Sequence, residues 1–189
     1  MQRNSERILD EYLLAAALTG DRPAWQRLVA RWQPRLMRHA WRVLGDAERA
    51  ADAVQEAWIE ILRGLARLDD LAAFPAWAFQ IVTRRCQRLF RSSDQDRRAA
   101  EAQIVDDAEI ASDSDAGEIN ADIDQVMDAL QKLPDAQRSV LALFYLESLS
   151  VAEIAVALDV PPGTVKTRLM HARNKIRARL EGAGNEQAG

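Results

Sequence analysis

The chain has 189 residues, 48% of them apolar, with 29 acidic and 25 basic side chains and a formal net charge of −4. This length allows one domain or two small ones, and the single cysteine excludes an internal disulfide and fits a reducing compartment. No apolar run is long enough for a membrane span and the first residues lack a signal-peptide core, so we expect a cytoplasmic protein without membrane insertion.

Apolar residues recur at helical spacing through most of the chain, and β-branched runs outside those segments are few. The sequence therefore predicts an all-α protein. In its first part we expect four helices separated by Gly, Asp and Pro signals, over about residues 5–18, 21–44, 47–65 and 76–91. A loop or irregular helix start precedes the fourth.

Acidity is concentrated in residues 92–124, where two arginines and eleven acidic residues give a net charge of −9. This segment has no aromatic residue and cannot bury enough apolar surface to offset chain entropy, so it is predicted to be a mostly disordered linker. We expect it to separate a helical domain over residues 1–91 from a second one over 125–182, with a disordered tail over 183–189.

A helix-turn-helix is predicted near the end of the chain. Ser150, followed three residues later by Glu153, is typical of a capping box; a break at Asp159 and two prolines then open a second helix. The apolar residues expected to face inward on that helix are Val165, Leu169, Ala172 and Ile176. Its other face is basic and could enter a DNA major groove. The alternative is an ordinary helical hairpin with a solvated basic face.

Two patterns stand out in the first part. Asp52, Gln55 and Glu56 share one helix face, which Glu60 extends, either as a docking stripe or as ordinary solvated surface. The residues expected on the buried side of that helix are Val54, Ala57, Ile61 and Leu62. In the fourth helix aromatic residues interleave with arginines, a pattern that suits capture of single-stranded nucleic acid, although about half of those aromatics are expected in the core.

An enzyme is not indicated. The sequence has no metal-ligand cluster, phosphate-binding glycine loop or nucleophile elbow, so we expect no catalytic residue, metal site or cofactor. Cys86 is expected to be a packed helix residue rather than a nucleophile or redox sensor. A conventional duplex-binding regulator and a purely structural helical adaptor are the remaining alternatives.

Three motifs carry a family resemblance: DAVQEAW at residues 52–58, FPAWAFQIVTRRC at 74–86, and the segment 133–176. In this order and spacing they resemble the extracytoplasmic-function (ECF, group 4) sigma factors of the sigma-70 family of bacterial RNA polymerase. The resemblance implies a sigma-2 and a sigma-4 domain joined by a linker. It also implies a factor that binds core polymerase, recognises −35 and −10 promoter elements, helps melt DNA and initiates transcription of a specific regulon.

The resemblance also implies site residues. Those matching the surface that docks on the β′ clamp helices are Asp52, Gln55, Glu56 and Glu60. Those matching the −10 element are Leu68, Asp69, Asp70, Phe74, Trp77, Arg84, Arg85 and Arg88, with Trp77 a base contact or a packing anchor. Those matching the −35 element are Lys166, Thr167, Arg168, Met170, His171, Arg173 and Lys175.

Arg84 stands where many family members have Asn, which favours a phosphate or a different base contact. The implied partners are core RNA polymerase (β′ and β subunits), promoter DNA and an anti-sigma factor that masks residues 52–60, the recognition helix, or both. In this family the linker threads toward the polymerase active site and RNA exit channel, so its acidity could imitate nucleic acid there or simply make a soluble tether.

Overall fold

The computed structural model describes residues 2–101, 130 and 132–186, and its regular elements in those ranges are all helical. The described α-helices are α1 (Gln2–Leu18), α2 (Arg22–Leu44), α3 (Ala47–Gly64), α4 (Phe74–Glu101), α5 (Asp135–Leu141), α6 (Val151–Leu158) and α7 (Pro162–Glu186). Short 3-10 turns cover Leu65–Arg67 and Leu71–Ala73, and a π-helical turn, Ala142–Leu146, continues α5. The all-α prediction is confirmed. Within those ranges, none of the helices has the length and apolarity needed to cross a bilayer.

Local capping chemistry determines where α2 begins and ends. The side chain of Asp21 accepts a hydrogen bond from the backbone N–H of Ala24 at 3.0 Å, and Pro23 lies in the first turn. Gly45 ends the helix with a φ of 68°, a left-handed conformation that glycine adopts without steric cost. Both ends agree with the sequence prediction.

Packing of α2, α3 and α4 forms the core of the N-terminal part. The indole of Trp32 is fully buried, and the rings of Phe74 and Phe79 lie edge-on or tilted against it, with centroids 5.0 and 5.8 Å away. Aromatic pairs in this geometry stabilise a core beyond the area that they bury. These two phenylalanines are therefore core residues.

The predicted end of the fourth helix is wrong. Helix α4 runs to Glu101 rather than stopping near Arg91, so it includes the first ten residues of the segment assigned to the linker. The second half of this stretch, Arg97 to Glu101, consists of good helix formers, and the acidity that suggested disorder does not oppose helix formation. The predicted disordered tail is also wrong in its first four residues, 183–186, which continue helix α7. The rest of the predicted linker and the last three residues of the predicted tail lie outside the described residues.

One prediction about α3 is also wrong. Val54, Ala57 and Ile61 are buried as expected, but Leu62 is 59% exposed. Each residue turns a helix by about 100°, so a side chain next to the centre of a buried stripe can fall outside it. Ile59 is exposed as well, so two apolar side chains lie on the outer surface of α3.

The helix-turn-helix is built as the sequence predicts. The hydroxyl of Ser150 accepts from the backbone N–H of Glu153 at 3.2 Å, and a Glu153 oxygen accepts from the Ser150 N–H at 2.6 Å, which completes the capping box. Asp159 ends α6 in the left-handed region with a φ of 56°. Helix α7 then buries Val165, Leu169 and Ala172, and Ile176 is partly buried.

The C-terminal part packs on the N-terminal part. Helix α6 lies against α4, and α5 lies against α2. The carboxylate of Glu147, whose side chain is 3% exposed, accepts from Nε of Arg35 at 2.6 Å and lies 3.9 Å from Nη2 of Arg38. Arg7 of α1 also pairs with Glu153, with Nη2 and Oε1 2.9 Å apart. These contacts join the two parts through charged side chains.

Candidate protein and nucleic-acid interfaces

Helix α3 presents a polar face to solvent. Its start is fixed by Asp46, whose side chain accepts from the backbone N–H of Arg49 at 2.9 Å. Asp52, Gln55 and Glu56 are exposed, and Glu60 is partly exposed. The face therefore has the position that a docking stripe requires. The exposed apolar residues on α3 were not anticipated, because the hydrophobic pattern alone assigned Leu62 to the core.

The structure brings part of this face together with α4. The guanidinium of Arg85 donates from Nη1 to Glu56 Oε2 at 2.7 Å, and from Nε and Nη2 to Glu60 Oε2 at 3.0 and 2.5 Å. Arg88 lies 3.9 Å from the same Glu60 oxygen. The hydrogen bond to Glu60 is the main cause that raises the pKa of Arg85. Residues assigned by sequence to two different surfaces thus form one ion-paired cluster.

The loop between α3 and α4 is short and self-capped. The side chain of Asp70 accepts from the backbone N–H of Ala72 at 2.9 Å, which begins the 3-10 turn. Asp69 and Asp70 are exposed and Leu68 is partly buried. Phe74 lies beneath the loop in the core, so it supports the loop and does not face solvent.

The side chain of Trp77, a residue of α4, packs against the end of α3. Its indole is partly buried, and its ring centroid lies 6.1 Å from that of Phe74. A Cβ atom placed on Gly64 would come within 2.8 Å of the indole Cζ2 atom. Absence of a side chain at Gly64 therefore lets the indole lie against the helix end. The geometry fits the packing-anchor interpretation while leaving part of the ring accessible.

Beyond Trp77, α4 carries an exposed arginine, Arg84, and a buried threonine, Thr83, that pairs with His39 of α2. Arg84 is exposed, whereas Thr83 donates to the carbonyl of Phe79 at 2.8 Å. Because its one hydroxyl proton is used there, Thr83 accepts at 2.9 Å from Nε2 of His39, which must carry the ring proton. Burial, with a smaller contribution from Arg42, lowers the pKa of His39 to about 3. This pair could not be predicted from the sequence, since His39 belongs to no recognisable motif and lies far from Thr83 along the chain.

Most of the predicted recognition residues lie on the surface of α7. Arg168 is partly buried; the exposed ones are Lys166, Thr167, Met170, His171, Arg173 and Lys175. The hydroxyl of Thr167 donates to the Gly163 carbonyl at 3.0 Å and so retains only acceptor capacity for a ligand.

Arg173 is held by the π-helical turn. Its Nε donates to the hydroxyl of Tyr145 at 3.0 Å, and its guanidinium carbon lies 5.4 and 5.6 Å from the ring centroids of Phe144 and Tyr145. These distances allow cation–π attraction, which restricts the orientation of the guanidinium. Tyr145 was not predicted as a functional residue, because it lies outside the helix-turn-helix motif.

Catalytic and metal chemistry has little support in the described ranges. Residues 2–101 and 132–186 contain no group of three or more His, Cys, Asp or Glu side chains arranged to hold a metal ion. Cys86 is buried in α4, and burial raises the pKa of its thiol to about 12. A thiol that stays protonated is a poor nucleophile.

Comparison with known proteins agrees with this arrangement. The sigma-70 region 2 model matches residues 28–96, and the sigma-70 region 4 model matches residues 123–176. The ECF RNA polymerase sigma factor SigM of Mycobacterium tuberculosis is 33% identical over 92% of this chain and 85% of its own. SigW of Bacillus subtilis, another ECF sigma factor, is 30% identical over 85% of this chain and 91% of its own.

A solved structure has the same fold. The sigma factor RpoE of Bartonella quintana, crystallised with the anti-sigma factor NepR, gives a TM-score of 0.61 at 19% identity over 83% of this chain and 96% of that one. Both family models match in the expected order, and relatives of this identity align with most of the chain. The chain therefore belongs to the ECF RNA polymerase sigma factors of the sigma-70 family, which initiate transcription at specific promoters.

Proposed function

We propose that this chain docks on core RNA polymerase through the polar face of α3 and reads promoter DNA through α4 and α7. The observation that carries the proposal is the presence of two exposed helix faces of opposite charge, one in each matched region. An acidic face lies in the region 2 part, and a basic one on the second helix of the helix-turn-helix.

Docking uses Asp52, Gln55 and Glu56 against the β′ clamp helices, with Glu60 at the edge of the face. Exposed carboxylates meeting a basic helix raise the association rate and fix the register between the partners. The C-terminal part contacts the β subunit, so that polymerase holds both DNA-reading parts at once. Each part then needs only modest affinity for its own element.

The −10 element is recognised as separated strand. The short loop formed by Leu68, Asp69 and Asp70 is open to solvent on one side and supported by Phe74 on the other, which suits it to receive a flipped base. The accessible part of Trp77 offers a stacking surface, and Arg84 and Arg88 contact the backbone phosphates. Arg84 in place of the family's usual Asn shifts this helix toward phosphate contact.

The −35 element is read as duplex by α7. The residues assigned to this contact are Lys166, Thr167, Arg168, Met170, His171, Arg173 and Lys175. His171 is best suited to a base edge, Thr167 can accept from one, and Met170 offers apolar contact. The cations contact phosphates and set the register of the helix in the groove.

The same surfaces suit an anti-sigma factor. A partner that covers the α3 face would block polymerase, and one that covers the α7 face would block the promoter. RpoE, which shares this fold, was crystallised with the anti-sigma factor NepR. We assign the domains to residues 1–91 and 125–182, close to the matched ranges 28–96 and 123–176. Helix α4 extends the first domain to Glu101 and helix α7 extends the second to Glu186, so residues 102–124 form the connection. The protein acts in the cytoplasm and leaves the chemistry of RNA synthesis to polymerase.

Run-off transcription with purified core polymerase on a promoter library tests the proposal. Transcripts that depend on the chain and share two spaced upstream elements are expected. Replacing both Asp52 and Glu56 by their amides should abolish them, while Glu6→Gln, at an exposed carboxylate of α1, serves as the control. Duplex binding by the chain alone, with no transcript that depends on it, would instead support a conventional regulator.

A further inference from the structure

Arg85 occupies an unusual position between the two surfaces proposed above. It lies on the helix that matches the −10 segment, yet its side chain is only 23% exposed, against 58% for Glu56 and 38% for Glu60. All three of its hydrogen bonds to side chains run to these carboxylates on α3. Three of its five N–H donors are therefore already committed to carboxylates.

Arg85 contacts only one oxygen of each of the two glutamates. Arg85 uses Oε2 of Glu56 and Oε2 of Glu60, and Arg88 also approaches Oε2 of Glu60. No described residue donates a hydrogen bond to Oε1 of either glutamate. Each carboxylate is therefore held at one oxygen and leaves the other for a ligand. A carboxylate has enough lone pairs to accept on both sides.

Arg84, the next residue along α4, behaves differently. It is exposed and has no ion pair or hydrogen bond with any described residue. Of these two adjacent arginines, Arg85 is held by carboxylates of α3 and Arg84 is the more accessible to DNA.

We propose that Arg85 is a positioning residue for polymerase docking, and not a DNA contact. It fixes the rotamers of Glu56 and Glu60 before the partner arrives, so less side-chain freedom is lost on binding. This inference rests on the proposed docking of α3 on core polymerase. Its physical basis is the planar fork of the guanidinium, which engages two carboxylates at once.

The chemistry predicts that lysine cannot replace Arg85. A lysine keeps the positive charge but presents a single point donor, so it cannot hold both carboxylates in one geometry. Simple charge effects predict the opposite pattern. If Arg85 acted only by its charge, Arg85→Gln would make the face more acidic and bind a basic partner more tightly, while Arg85→Lys would change nothing.

The test titrates fluorescently labelled full-length chain with bacterial core RNA polymerase at physiological salt. Arg85→Gln and Arg85→Lys should each weaken binding by roughly fivefold, mainly through faster dissociation. Arg27→Gln and Arg27→Lys, at an exposed position of α2, control for the loss or exchange of one cation. Thermal unfolding of each variant measures any loss of folded protein.

A double-mutant cycle separates positioning from a general structural effect. In a chain that already carries Glu56→Gln and Glu60→Gln, Arg85→Gln should cause no further loss of affinity. Unchanged or tighter binding by Arg85→Gln, wild-type binding by Arg85→Lys, or an equal loss in the double-amide background would overturn the inference. If the unaltered chain fails to bind core polymerase at all, the proposed function falls, and this inference with it.

Discussion

Arg7 and Glu153 connect the first helix of the chain to the first helix of the helix-turn-helix. Nη2 of Arg7 donates to both Glu153 oxygens, at 2.9 and 3.2 Å, while one of those oxygens also accepts from the Ser150 N–H. A single carboxylate therefore starts a helix and holds it against the other part of the protein.

This shared carboxylate predicts unequal effects of two substitutions. Arg7→Ala should lower the free energy of unfolding by less than about 1 kcal/mol, because it removes a partly exposed ion pair and one long hydrogen bond to the Ser148 carbonyl. Glu153→Ala should lower it by about 2 kcal/mol, since the helix cap is lost as well. Urea unfolding of the two variants measures the difference. Equal losses would contradict the double role of Glu153.

Glu147 is predicted to hold the two parts together. Glu147→Ala leaves Arg38 without its buried partner and Arg35 with only Asp10, 3.8 Å away, so the cations are better solvated if the parts separate. We expect the radius of gyration from small-angle X-ray scattering to increase while helix content stays the same. Asp135→Ala, which removes an exposed pair within α5, should leave the radius unchanged. An unaltered radius in Glu147→Ala would contradict the prediction.

His39 gives the protein a predicted pH dependence. Its pKa is about 3 in the folded protein and near 6.5 when unfolded, so below pH 6.5 unfolding takes up a proton. Its contribution is complete above pH 6.5 and is lost as the pH falls toward 3. Between pH 7.5 and 5 we expect a loss of about 2 kcal/mol of unfolding free energy.

His39→Gln keeps an N–H donor for Thr83 but does not titrate, so its stability should be nearly flat over this interval. His171→Gln, at an exposed position, should retain the wild-type slope. Urea unfolding at several pH values gives both slopes. Parallel slopes for wild type and His39→Gln would show that other groups govern the dependence.

Gly64 is predicted to be sensitive to a single methyl group. Gly64→Ala places a carbon 2.8 Å from the Trp77 indole, so the ring must move, at a cost of about 1 kcal/mol. Gly163→Ala, where a Cβ would meet nothing within 4 Å, should be neutral or stabilising because alanine favours helix. Thermal unfolding and tryptophan fluorescence measure the two effects. A stabilised Gly64→Ala variant would show that the indole relaxes freely.

Tyr145 is predicted to support DNA binding without touching a base. Arg173→Ala should weaken binding to −35 duplex and reduce the slope of log affinity against log salt by about 1, as for one lost phosphate contact. Tyr145→Phe keeps the ring but removes the hydroxyl that orients Arg173, so a smaller loss is expected. Tyr12→Phe, at the other tyrosine, is the control. Fluorescence anisotropy across a salt series measures the affinity of the three variants for the duplex. Wild-type affinity of Tyr145→Phe would show that the aromatic rings alone orient the Arg173 guanidinium.

Features encoded within a few residues could be predicted from the sequence. The cap at Asp21 and the capping box at Ser150 and Glu153 depend on residues three apart, and both are present. The inward-facing residues of α7 followed from helical spacing alone. In each case the interaction lies inside one turn of helix, so no knowledge of the tertiary fold was needed.

Contacts between distant residues could not be predicted in this way. The Arg85–Glu60 pair joins positions 25 residues apart and the Arg35–Glu147 pair joins positions 112 apart. Charged residues on helix surfaces look alike in a sequence, whether they face solvent or another helix. For the same reason, the roles of the polymerase and promoter residues remain predictions that rest on family resemblance and exposure.

The buried thiol of Cys86 bears on how this protein can receive a signal. With a pKa of about 12, only about one molecule in 10⁵ carries a thiolate at pH 7. Oxidants such as peroxide react with thiolates, so the one cysteine in these 189 residues is nearly inert toward them. Direct oxidation of Cys86 is therefore a poor route for an oxidative stimulus to reach this chain. The same inertness lets single cysteines be introduced and labelled at other sites with Cys86 left in place.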